Sequence, residues 1–61
     1  MAKYKFSKYS IEGVISHFNA YDATILTMAA VDQDYVAELD IAISADQLEH
    51  LNIEYGLVEV Q

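Results

Sequence analysis

The chain has no cysteine, no proline and no arginine. Without cysteine there is no disulfide staple and no cysteine-based zinc site, and a cytoplasmic setting fits that composition. Only two glycines are present, Gly13 and Gly56. Isolated as they are, they cannot form a phosphate-cradling loop. No apolar run approaches the roughly 20 residues needed to cross a bilayer. The N-terminal stretch also lacks the apolar core of a secretory signal. Basic residues are scarcest in placement: Lys3, Lys5 and Lys8 are the whole supply, and His17 and His50 are the only histidines.

The chain holds 61 residues, which is one domain at most, spanning 1–61. A domain of this size buries only about 60% of its unfolded surface, so stability depends on regular packing or on a partner chain. Hydrophobic content is 54%, enough to form a core and to argue against disorder. Ten acidic residues stand against the three lysines, for a net charge of −7. All ten lie beyond Lys8. Such a body repels nucleic acid and anionic membranes, and it speeds the approach of cationic partners. Neither direct nucleic-acid binding nor a membrane partner is expected.

Lys3-Tyr4-Lys5-Phe6 alternates charge and ring with the period of a strand. Tyr9 to Phe18 continues in strand-like composition, with Gly13 read as a bulge or bend. Ala23–Val31 has two apolar faces, which predicts a strand covered on both sides. Asp32-Gln33-Asp34 reads as a hairpin turn. Beyond it, Tyr35, Ala37, Leu39, Ile41 and Ile43 share one face and Val36, Glu38, Asp40 and Ala42 the other. Ser44 and Gln47 have capping-box spacing, with Asp46 in the first turn of a helix of about two turns that stops near Asn52. Leu57 to Val60 is a last short strand. The expected fold is mainly β: a small SH3-like or OB-like five-stranded barrel with one short helix before the last strand. An α+β sheet with one helix is the alternative.

The segment "DQDYVAELD" carries the most charge. Asp32, Asp34, Glu38 and Asp40 share parity. Alternate residues on a strand stand about 6.6 Å apart, comparable to the contour spacing of phosphates along a nucleic-acid strand. A row of carboxylates at this pitch suits a basic groove that otherwise holds DNA or RNA. Tyr21 and Tyr35 beside the acids add rings of the kind that stack like bases. The plain alternative is that a half-exposed strand needs polar residues outside, and that charged strands resist aggregation. Surfaces usually mix both signs, however, and no lysine is interleaved here.

Other chemistry finds little support. Asp32-x-Asp34 begins like a calcium-binding EF-hand loop, but Ala37 and Ile43 occupy the positions that need glycine and glutamate. His17 and His50 form no HxH or HxxxH pair and read as boundary or surface residues. The four serines lack a nucleophile motif, and so short a chain leaves little room for both a core and a substrate pocket. An enzyme is not expected, and neither is a cofactor or a metal. Five tyrosines and the two-sided apolar segment favour a homo-oligomer, most simply a homodimer. The lysines read as gatekeepers on an edge strand, or as partners for the acidic face of another protomer.

"SADQLEHLNIEYGLVEV" resembles the closing segment of TOBE and Mop-type small β-barrels, and "IEGVIS" is similar to their first strand. The resemblance covers about half the chain and lies in scaffold positions. It implies a barrel, oligomeric assembly and binding of oxyanions such as molybdate. The lack of any Lys or Arg after Lys8 departs from that pattern, so no ligand residue is carried over. The sequence therefore favours a non-enzymatic acidic protein that docks on a basic partner surface through Asp32, Asp34, Glu38, Asp40, Tyr21 and Tyr35. Its closest functional analogy is a phage-type inhibitor that mimics nucleic acid. The alternative is an oligomeric barrel that binds an oxyanion or nucleotide.

Overall fold

Residues Ala2–Ser7 form strand β1, and their alternation sorts side chains cleanly. Ala2, Tyr4 and Phe6 are buried, while Lys3 and Lys5 are exposed. In the computed structural model, which describes residues 2–60, a single 3-10 turn at Lys8–Ser10 leads from β1 into helix α1, Ile11–Ala20. Strands β2 (Ile25–Val31) and β3 (Asp34–Leu39) follow, then helix α2 (Ala45–Tyr55) and strand β4 (Val58–Val60). The sheet order is β2-β3-β1-β4, with every neighbouring pair antiparallel. This is the β-α-β-β-α-β connectivity of the split βαβ, or ferredoxin-like, motif.

The expected five-stranded barrel is not formed: four strands make an unclosed sheet, and two helices accompany it rather than one. The difference arises at residues 9–18. Ile11, Val14, Ile15 and Phe18 include β-branched and aromatic types that favour strands, and Gly13 looks like a bulge. Their spacing, however, places Ile11, Val14 and Phe18 on one side of a helix. Val14 and Phe18 are fully buried, and Phe18 packs its ring 6.2 Å from Tyr4 and 6.3 Å from Phe6. Burial of that stripe against β1 overrides local propensity. Gly13 is thus a helical residue, and no bulge occurs there.

The core is a single cluster beneath one sheet face. Tyr4, Phe6, Ala37 and Leu39 from the sheet meet Val14 and Phe18 of α1, Leu51 of α2 and Leu57. The Tyr4 hydroxyl accepts the Ile43 N–H at 3.1 Å, so the buried phenol is satisfied. Three inward positions of β3 follow the predicted parity: Tyr35, Ala37 and Leu39 point to the helices. The strand then ends, and Ile41 is 44% exposed, outside the expected inward series. Ile43 is buried again as the chain approaches α2.

The hairpin turn falls at Asp32-Gln33, with Val31 paired to Asp34. Asp32 takes φ 55, a left-handed conformation that a short polar side chain tolerates. Strand β2 is not covered on both sides. It is a sheet edge, with Leu26 47% and Val31 48% exposed, and its register breaks between Ile25 and Thr27. Strand β1 is interior instead, so Lys3 and Lys5 do not guard an edge.

The capping box at Ser44 and Gln47 forms as its spacing predicts: Ser44 Oγ accepts the Gln47 N–H at 3.1 Å, and Gln47 Oε1 accepts the Ser44 N–H at 2.9 Å. Helix α2 runs on past Asn52, however, and stops at Gly56, which adopts φ 72. Asn52 serves the stop indirectly, donating from Nδ2 to the Leu57 carbonyl at 3.0 Å. No helix among the described residues is long and apolar enough to cross a membrane.

Candidate functional site

Both helices cover the sheet face that carries Tyr4 and Phe6, which leaves the opposite face open. Register places three rows of side chains there: Thr27, Glu38, Lys3 and Val60; Ala29, Val36, Lys5 and Val58; Val31, Asp34 and Ser7. Asp34 and Glu38 share this face with Val36 between them, and Asp32 stands at the adjoining hairpin tip. Glu38 has Lys3 directly across β1 and accepts a long contact from Thr27 Oγ1 at 3.5 Å. Asp40 lies beyond the strand end and holds the chain locally. Its Oδ1 accepts the Thr24 N–H at 2.8 Å, and its own N–H donates to the Thr24 carbonyl at 3.0 Å.

The two tyrosines named with these acids stand elsewhere. Tyr35 is on the helix-covered face, its ring 6.1 Å from Phe6 and 5.7 Å from the Lys8 ammonium. Tyr21 is the C-terminal cap of α1, and its ring lies edge-on to His17 at 6.0 Å. The pair that the register assembles is therefore Asp34 and Glu38, with Asp32 at the hairpin tip, flanked by Lys3 and Lys5 rather than by rings.

The helical layer brings together a second set of groups. His17 on the last turn of α1 faces α2, where His50 and Glu54 sit one turn apart. The two imidazoles are 5.5 Å apart between centroids, and His50 Nε2 is 2.9 Å from Glu54 Oε2. One ligand atom from each of His17, His50 and Glu54 lies within 4.8 Å of the other two. Sequence spacing of the histidines, 33 residues apart, gave no sign of this. The legible part was the i,i+4 spacing of His50 and Glu54. The antiparallel approach of two helices over one sheet face supplies the third group.

A cleft of about 320 Å³ opens between α2 and β4, lined by Ala45, Leu48, Asn52, Leu57 and Val58, with Glu49 and Glu59 at its rim. Its lining is mainly apolar, and no basic residue among the lining residues accompanies the two carboxylates. No nucleophile and base converge there. Comparisons with protein-family models, with curated proteins and with solved structures found no match to this chain.

Proposed function

We propose that the protein is a small non-enzymatic binding module that docks an acidic surface on a basic protein, occupying a site that otherwise holds nucleic acid. The excess of acid supports this reading, ten carboxylates against three lysines, although Glu38 has Lys3 directly across from it on the open face. Lys3 and Lys5 stand on the open face of β1, and Lys8 rests over Tyr35. All ten acids lie on the remaining elements and turns. Among the described residues the one close contact between a basic and an acidic side chain is His50–Glu54, so no lysine touches a carboxylate. The hairpin end, with Asp32 and Asp34, is the part of the acidic row farthest from Lys3 and Lys5. It is the leading edge of the docking surface, with Glu38 behind it.

The module acts as a homo-oligomer in this reading. Strand β2 is a sheet edge that holds no charged residue, so two chains of net charge −7 that meet along it set carboxylates against one another only at the strand ends. Natural edges usually carry a charge, a proline or a cover, and β2 has neither of the first two.

The test is affinity capture from a cytoplasmic extract with wild-type protein and with an Asp32→Asn/Asp34→Asn/Glu38→Gln variant. Asp40 is left intact because it clamps Thr24. A basic protein retained by the wild type, released by a competing oligonucleotide and by salt, and lost from the triple variant supports the reading. Equal retention by both proteins, or no displacement by the oligonucleotide, refutes it.

A further inference from the structure

We infer that His17, His50 and Glu54 form a binding site for a divalent zinc-class cation, held between α1 and α2. Three observations carry the assignment. The first is the donor set. Two imidazoles and one carboxylate suit Zn²⁺ and its first-row neighbours, whereas Mg²⁺ and Ca²⁺ prefer all-oxygen surroundings.

The second is orientation. His17 Nδ1 lies 2.8 Å from the Gly13 carbonyl oxygen. A carbonyl oxygen can only accept, so Nδ1 donates this bond, and in the neutral ring the lone pair is then on Nε2. A hydrogen bond from the non-ligating nitrogen to a backbone carbonyl is the usual way a protein fixes the tautomer and ring plane of a metal-binding histidine. Tyr55 and Tyr21 stand edge-on to the same ring at 5.6 and 6.0 Å and limit its rotation. His17 is therefore a fixed ligand before any ion arrives.

The third is distance. Ligand atoms around tetrahedral Zn²⁺, each about 2.1 Å from the metal, lie roughly 3.4 Å from one another. His50 Nε2 and Glu54 Oε2 already stand 2.9 Å apart, and the whole triad fits within 4.8 Å. The side chains of His50 and Glu54 are 57% and 48% exposed, free to turn by the ångström that closure needs. Three protein ligands leave a fourth position, which faces solvent and falls to water. The net charge of −7 raises the local concentration of any cation near the site. Metal-free, the same pair of residues is an ordinary i,i+4 contact on a helix surface.

The cation clamps α1 to α2 on their outer surface, away from the core and from the acidic row of β3. The site is thus independent of the docking surface proposed above. The experiment titrates the full chain with Zn²⁺ by calorimetry, and with Co²⁺ by visible absorption, in physiological salt with excess Mg²⁺ present. The expected result is one Zn²⁺ per chain, together with the intense visible bands of tetrahedral Co²⁺. His50→Ala and Glu54→Gln, both on the exposed side of α2, are expected to weaken Zn²⁺ binding at least about tenfold and to bleach the Co²⁺ bands. Glu49→Gln, which removes a carboxylate outside the triad, leaves both signals unchanged. Circular dichroism checks that the variants fold. The inference is overturned if Zn²⁺ binds His50→Ala and Glu54→Gln as tightly as wild type. It is overturned equally if Glu49→Gln loses as much as they do, if Mg²⁺ displaces the ion, or if the wild type takes up no Zn²⁺ at all.

Discussion

The Tyr55 ring occupies the space where a side chain on Gly13 would stand. A Cβ built on Gly13 meets the Tyr55 hydroxyl at 2.5 Å and its ring at 2.7 Å. The absence of a side chain on α1 thus sets how closely the end of α2 approaches, and the same ring borders His17. Gly13→Ala gains about 1 kcal/mol of helix propensity. It also forces a half-buried aromatic ring to move, which costs more than that gain. A net loss of about 1–2 kcal/mol is expected by urea denaturation. Combining it with Tyr55→Ala removes the clash, so the double variant is expected to be more stable than the two single losses add up to. Strict additivity in that cycle would show that the two residues do not compete for space.

Tyr4 links the first strand to the segment before α2. Its ring is buried against Phe18 and its hydroxyl accepts the Ile43 N–H. Tyr4→Phe keeps the packing and leaves a buried donor without a partner. That costs about 1–3 kcal/mol, and the effect is expected in the unfolding midpoint without a change in the slope of the denaturation curve. Hydrogen exchange of the Ile43 amide is expected to accelerate beyond the global change, because the segment between β3 and α2 loses its tether. An unchanged midpoint would mean that water reaches the freed amide.

Much of this architecture is written locally, and where it is not, the reason is physical. The alternation of Lys3 to Phe6, the turn at Asp32-Gln33 and the capping box at Ser44 each depend on neighbours within a few residues, and each forms as the sequence implies. Helix α1 does not announce itself the same way. Ile11, Val14 and Phe18 hold helical spacing, but strand-favouring side chains and Gly13 mask it, and only contact with Tyr4 and Phe6 decides between the two. The apolar character of β2 is legible, yet the same composition describes a buried strand and an exposed edge, and strand order lies in pairings distant in sequence. Of the four acids expected on one face, strand parity holds for Asp34 and Glu38, while Asp32 lies in the turn and Asp40 beyond the strand end. Their neighbours were not legible: Lys3 and Lys5 come from the other end of the chain, and Tyr35 turns to the opposite face. The triad at His17 is invisible to spacing because it joins two helices that the sheet brings together.

The capping box offers a measure of how far α2 depends on its own ends. Ser44→Ala removes the side-chain acceptor for the Gln47 N–H and leaves the backbone N–H of residue 44 free to donate to Gln47 Oε1. A loss of about 1 kcal/mol is expected, typical of an N-cap serine. Gly56→Ala at the other end forces φ 72 on a residue with a Cβ and costs about 1 kcal/mol as well. The two sites are far apart on the helix, so their effects are expected to add in thermal or chemical unfolding.

Strand β2 gives the sharpest prediction for assembly. Pairing two copies antiparallel along this edge satisfies its free backbone groups and covers Leu26 and Val31. The same two-fold arrangement brings the Asp32–Asp34 end of one strand towards the Asp22 and Asp40 end of its partner, since these residues flank opposite ends of β2. Apolar edge contacts attract while like charges at the ends repel. Salt screens the second and leaves the first, so dimerisation is expected to strengthen between low and physiological ionic strength. Docking on a basic partner should weaken over the same range, which separates the two kinds of contact in one titration. Ala29→Lys places a charge near the middle of the edge, and the two-fold axis sets it close to its own copy. Sedimentation analysis is expected to find this variant monomeric at concentrations where the wild type is dimeric. A wild type that stays monomeric at all salt concentrations, or an Ala29→Lys protein that dimerises as well as its parent, would remove β2 as the contact.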